Sequence, residues 1–134
     1  MQGNLAYKMG INSYQNVQRE TISDRETEAR VLSKAAVKLQ KCQETWNSKT
    51  RRTDLEEAFE YNQRIWSIFQ AELVKPDHPM DKKLRQNLLN LSIFIEKTMY
   101  DIRAYPDPEK LTSIININKN LAAGLRSSPK ATVQ

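Results

Sequence analysis

An all-α fold, a compact antiparallel bundle of about four helices with an irregular N-terminal arm, is what this sequence predicts. Three observations carry that expectation. Apolar residues recur at spacings of three and four along four separate stretches joined by short connections. Glycine and proline are scarce, 3 and 5 in 134 residues, which disfavours a turn-rich β fold. No stretch alternates apolar and polar residues as a half-buried strand does.

Residues 1–20 are polar, carry Gly3 and Gly10 and lack a helical period, so an irregular arm is expected there, with Tyr7, Ile11 and Tyr14 available to lie against the domain. The helical domain is expected over residues 21–126. It opens at Ser23, which can cap a helix while Glu26 reaches back to it. Ala29, Leu32, Ala36, Leu39 and Trp46 then recur on one face, widened by Val31, Ala35 and Cys42; the helix is expected to run to about Asn47, and NSKTRR makes the turn. Thr53 and Glu56 form a second capping box, with Glu57 and Glu60 near the positive end of the helix dipole. This second helix ends before Pro76, because a residue preceding proline avoids the helical region.

Asp81 opens a third helix with Leu84, Leu88, Leu91, Ile95, Met99 and Ile102 on one face. A narrower stripe of Leu89, Ile93 and Tyr100 lies almost opposite, so this helix either sits centrally or offers one side to a partner. Asp107 caps a fourth helix with Pro108 at its first position. Leu111, Ile114, Ile115, Leu121, Ala122 and Leu125 make its apolar face, and Gly124 is placed to end it in a left-handed conformation. Residues 127–134 read as a disordered tail.

Two amides break the pattern. At about 100° per residue, Asn62 falls in the middle of the second helix's apolar face, between Leu55, Phe59, Trp66, Phe69 and Leu73 on one side and Ala58 and Ile65 on the other. Asn118 holds the equivalent place on the fourth helix. A buried amide left unpaired costs on the order of 1–3 kcal/mol, so each needs a partner. They can bond to each other or to a backbone carbonyl and so fix which helices meet, or they can line a groove and bond to an inserted partner segment.

Catalytic chemistry is thin. His78 and Cys42 are each the only residue of their kind. Cys42 reads as a buried small hydrophobe and His78 as a solvated loop residue. The pair cannot supply a four-ligand zinc site, and three scattered glycines form no phosphate cradle. No enzyme activity, metal or cofactor is expected. A lone cysteine permits no internal disulfide, and no apolar run reaches the length of a membrane span or resembles a secretory signal, so a cytoplasmic protein is expected with no membrane partner. The net charge of +5 includes a stripe of Arg30, Lys34, Lys38 and Lys41 on the first helix. It reads as a solvated face or, alternatively, as a track for RNA phosphates, without aromatic residues interleaved for base stacking.

The order of blocks is also distinctive: SYQ in the arm, then RETEARVLSKAAVKL, EAFEYNQRIWSIFQAELVKPDHPM, LRQNLLNLSIFI and IININKNLAAGL. Over residues 13–125 it resembles the FlaF family of bacterial flagellar biosynthesis regulators, most specifically around Asn62 and Trp66 and in the closing block with Asn118, Ala122 and Gly124. The resemblance implies a cytoplasmic, non-enzymatic factor for making and exporting flagellin. It implies a chaperone-like partner of flagellin that works alongside other flagellar regulators, one of which acts on flagellin messenger RNA. It assigns no residue roles. The leading expectation is therefore a module that holds the amphipathic terminal segments of flagellin, with Leu89, Ile93 and Tyr100 as its surface unless they pack inside the bundle or a dimer. An RNA-binding regulator acting through Arg30, Lys34, Lys38 and Lys41 is the alternative.

Overall fold

The computed structural model describes residues 17–127, in which four α-helices pack together and no strand occurs. They are α1 (Val17–Glu44), α2 (Arg51–Leu73), α3 (Lys82–Ala104) and α4 (Leu111–Ser127), with a 3-10 turn at Pro108–Lys110 leading into α4. Most of the expected arm and tail lies outside the described residues.

Pairing is unequal. α1 and α4 lie against each other along most of their lengths, α2 lies beside α1, and α3 packs chiefly on α2. The α1–α4 pair is antiparallel: the Gln43 amide donates to the Pro108 carbonyl and to Thr112, both at 2.9 Å, while Arg126 donates to Ser33 at 3.1 Å. Leu32 and Leu39 of α1, Phe59 of α2, Ile95, Met99 and Ile102 of α3 and Leu111 and Ile114 of α4 are all sequestered from solvent. Each such side chain contributes about 1.5–3 kcal/mol on burial. The fold rests on this shared centre.

The helix boundaries correct several expectations. α1 is already helical at Val17, so Ser23 is an interior residue and not a cap, and Val17–Glu20 belong to the helix and not to the arm. Residues 17–23 hold no glycine or proline, and each residue added to an existing helix gains a hydrogen bond, so the helix propagates upstream. Glu26 instead bridges Arg30 at 3.6 Å and Arg126 at 3.7 Å. At its other end α1 stops at Glu44, short of the expected Asn47 and leaving Trp46 in the turn, where the Thr45 hydroxyl bonds back to the Lys41 carbonyl at 2.8 Å.

α2 starts two residues before the expected cap. Thr50 takes the N-cap place, its hydroxyl donating to the Asp54 carboxylate at 2.8 Å, and Thr53 lies within the helix. Arg51 lies over the Trp46 ring at 4.8 Å, a contact across the turn that favours the earlier start. Glu56 does not close a capping box; both its oxygens accept from Arg103 of α3, at 3.0 and 3.2 Å. Gly124 does not terminate α4, which continues to Ser127. Continuation lets Leu125 pack on the core and Arg126 reach Ser33 and Glu26.

Other punctuation stands as read. Asp81 accepts from the Lys83 and Leu84 amides at the start of α3, and Asp107 accepts from the Glu109 amide with Pro108 next to it. α2 ends ahead of Pro76.

Candidate functional site

The two anomalous amides meet. Asn118 of α4 donates from Nδ2 to Asn62 Oδ1 at 2.8 Å, and both residues are fully buried. The Trp66 indole N–H donates to Asn118 Oδ1 at 3.0 Å, and Asn62 Nδ2 points a longer, weaker contact at Met99 Sδ, 3.8 Å away. The relay therefore ties α2 to α4 twice and touches α3 once. Trp66 lies one turn after Asn62, which explains how one helix supplies both an acceptor and a donor to the same partner amide. Sequence reading assigned Trp66 to the apolar core, and its indole N–H was the missing signal, since a buried tryptophan generally finds an acceptor.

Trp66 also forms part of an open groove at one end of the bundle, about 370 Å³ in volume. Phe69 and Leu73 of α2, Leu88 of α3 and Leu121 and Leu125 of α4 supply its apolar surface. The loop between α2 and α3 closes one side, held by Arg85 Nη1 donating to the Lys75 carbonyl at 2.9 Å and by the Met80 amide donating to His78 Nδ1 at 3.1 Å. Phe69 meets Trp66 edge to face, with ring centres 5.7 Å apart. The groove exists because the first turns of α3 do not close against the other helices: Leu84 is half exposed, and Leu88 and Leu91 are only partly covered.

Glu28 of α1 enters this groove beside Leu32, with Glu72 of α2 also on the wall. Burial, then the neighbouring Asp24, pushes the Glu28 carboxyl up to about 7; Arg25 opposes the rise and Glu72 adds to it. No hydrogen bond or ion pair holds Glu28 among the described residues. Sequence reading missed this residue, although the signal was the one that exposed Asn62. At about 100° per residue Glu28 falls between Ala35 and Leu39 on α1, both wholly buried.

The predicted surface residues divide. Ile93 is 47% exposed and Tyr100 71% exposed, whereas Leu89 is half-buried and its carbonyl accepts from buried Ser92. Phe94, 46% exposed, stands outside both stripes and was not predicted. On the basic stripe, Arg30 pairs with Glu26, while Lys34 and Lys38 lie over the Tyr61 ring at 5.6 and 5.2 Å; Lys41 is exposed. The fold thus brings an aromatic ring to a stripe that lacks one in sequence. Cys42 is buried, and that burial raises its thiol pKa, the state of an inert core thiol. His78 is half-buried at the groove wall, not a freely solvated loop residue.

Among the described residues no cluster of three His, Cys, Asp or Glu side chains could hold a metal, and no helix is long and apolar enough to cross a membrane. No curated protein and no solved structure matches the chain. A family model described as flagellar protein FlaF matches residues 10–125. That span takes in all four helices from Val17 to Leu125, including the Asn62–Asn118–Trp66 relay and every wall of the groove. The chain belongs to the FlaF family of flagellar proteins, which is not a family of enzymes.

Proposed function

We propose that this FlaF protein is a chaperone-like binding module that holds an amphipathic terminal segment of flagellin and so supports flagellin production and export. The observation that supports this reading is the open apolar groove beneath Leu88, with Trp66 and Phe69 in it. A concave apolar site of this size suits an inserted helix face better than a flat surface does. Flagellin's terminal segments bury their apolar stripes in the filament, and a groove that covers such a stripe beforehand keeps subunits apart. The outward stripe of Leu89, Ile93 and Tyr100 is the second surface on offer, convex and partly exposed.

Isothermal titration of purified flagellin, intact and lacking its termini, tests the reading. Binding is expected only with the termini present. Leu88→Asp should weaken it at least about tenfold, since a carboxylate in a desolvated contact has no partner, while helicity stays unchanged. Loss with Ile93→Asp alone moves the contact to the outer stripe. Affinity untouched by either change, or by removal of the termini, overturns the reading. Persistence of the complex in Lys34→Glu and Lys38→Glu separates it from an RNA-binding role of the basic stripe.

A further inference from the structure

We infer that the groove selects a segment carrying a basic side chain among its apolar ones, and that Glu28 is the residue that receives this Lys or Arg. The inference rests on the proposed groove reading and adds to it the chemistry of the occupant. The Glu28 carboxyl lies between Ala35 and Leu39 on the most buried face of α1, and no ion pair or hydrogen bond uses its charge among the described residues. Yet it shares the walls of a largely apolar groove with Trp66, Phe69 and Leu88, where Glu72 and His78 are the other polar side chains. A segment that fills the groove displaces water from its apolar walls, so a cation it carries meets Glu28 with less competition from solvent, and charge-assisted hydrogen bonds are the stronger kind.

Of the charges that act on Glu28, two are carboxylates and one is a guanidinium. From α1, Asp24 raises the Glu28 pKa and Arg25 lowers it; from α2, Glu72 raises it, itself paired with Lys75 at 3.1 Å. His78 faces the groove from the loop, while Arg126 at the end of α4 lies off the groove wall, engaged with Glu26 and Ser33. In a chain of net charge +5, a groove wall that carries Glu28 and Glu72 and no Lys or Arg among the described residues is a local reversal of sign. A purely apolar ligand would leave Glu28 covered and unpaired, whereas a basic one supplies its missing partner. A helical segment suits the site, since residues three and four apart present one lysine between two apolar side chains.

The test uses the full-length protein and two synthetic amphipathic helical peptides that differ only by Lys or Gln at one position within the apolar face. At pH 8 the lysine peptide should bind about tenfold more tightly than the glutamine peptide. In Glu28→Gln that preference should vanish, with the glutamine peptide bound as before. In His78→Gln it should survive. Equal binding of the two peptides by the native protein, or no binding of either, overturns the inference. So does a preference that persists in Glu28→Gln. Two other occupants have their own signatures. Tighter lysine-peptide binding in Lys8→Gln would hand the groove to the chain's own arm, whose only lysine or arginine before Val17 is Lys8. A dimer that dissociates in Glu28→Gln would hand it to a second copy, and either result also overturns the inference. Flagellin titrated in parallel keeps the two readings apart: binding that is lost in Leu88→Asp but unchanged in Glu28→Gln retains the groove and removes the basic anchor.

Discussion

Asn118 serves two neighbours at once, donating to Asn62 and accepting from Trp66, and that asymmetry sets an order of mutational effects. Asn118→Ala strands the Asn62 carbonyl oxygen and the Trp66 indole, and is expected to destabilise by about 2–4 kcal/mol. Asn62→Ala strands a donor of Asn118 and should cost about 1–3 kcal/mol. The double change should cost less than the sum in denaturant melts, and strict additivity would show that the pair contributes nothing jointly. Glu28 is the opposite case, a polar group whose charged form the fold penalises. Its pKa is raised in the folded protein from 4.5 to about 7. Its contribution to stability is therefore fully present below about pH 4.5 and is lost as pH rises through about 7. Glu28→Gln should stabilise the protein by about 1–3 kcal/mol at pH 8 and change little near pH 4, water at the groove mouth reducing the effect. Thermal melts of both proteins across that range check it, and a constant offset at every pH would count against it. At this scale the sequence was legible wherever a polar residue sat alone on an apolar arc. Asn62 and Asn118 were found that way. Glu28 meets the same criterion, but it stands in a run dense in charge, SDRETEAR, where a further carboxylate does not stand out.

Helix existence was legible because it depends on apolar period summed over many residues, whereas helix ends depend on a few local contacts. The caps at Asp81 and Asp107 were readable because proline and a change of period isolate them. Those at Ser23 and Thr53 failed for a shared reason: no glycine or proline stands in the six residues before either one, so the helix already includes the cap-like residue. Gly124 failed in a different way. A glycine ends a helix when the chain gains by turning there, and here Leu125 and Arg126 gain by going on. Its backbone is ordinary helix, and a Cβ built on it meets nothing within 4 Å. Gly124→Ala should therefore stabilise the fold by about 0.5–1 kcal/mol, through lower entropy in the unfolded chain and better helix propensity. Chemical denaturation measures this directly. A destabilised variant would mean that the glycine serves a contact with something other than the described chain.

The groove itself was not legible, since a cavity is a property of how far helices stand apart and not of any one period. Its origin lies in the unequal pairing of the bundle. α1 and α4 cover each other along most of their length, while α3 rests chiefly on α2 and buries Ile95, Met99 and Ile102 near its C-terminal end. Toward its start the same apolar face carries Leu84, Leu88 and Leu91, none of them fully covered. Local opening free energy follows buried contact, so the first half of α3 should open without unfolding the rest. Native-state hydrogen exchange is the measurement. Amides of residues 86–91 should exchange at least about tenfold faster than those in the middle of α1 and α4, which should open only with global unfolding. Residues 86–91 already have intrahelical acceptors, so unsatisfied first-turn donors do not explain the difference. If an amphipathic segment fills the groove, it covers Leu88 and supplies the contacts that α3 lacks, and protection at 86–91 should rise while α1 and α4 change little. Equal protection along α3 in the free protein would mean that its start is as firmly packed as its end, and the groove would then be a rigid feature.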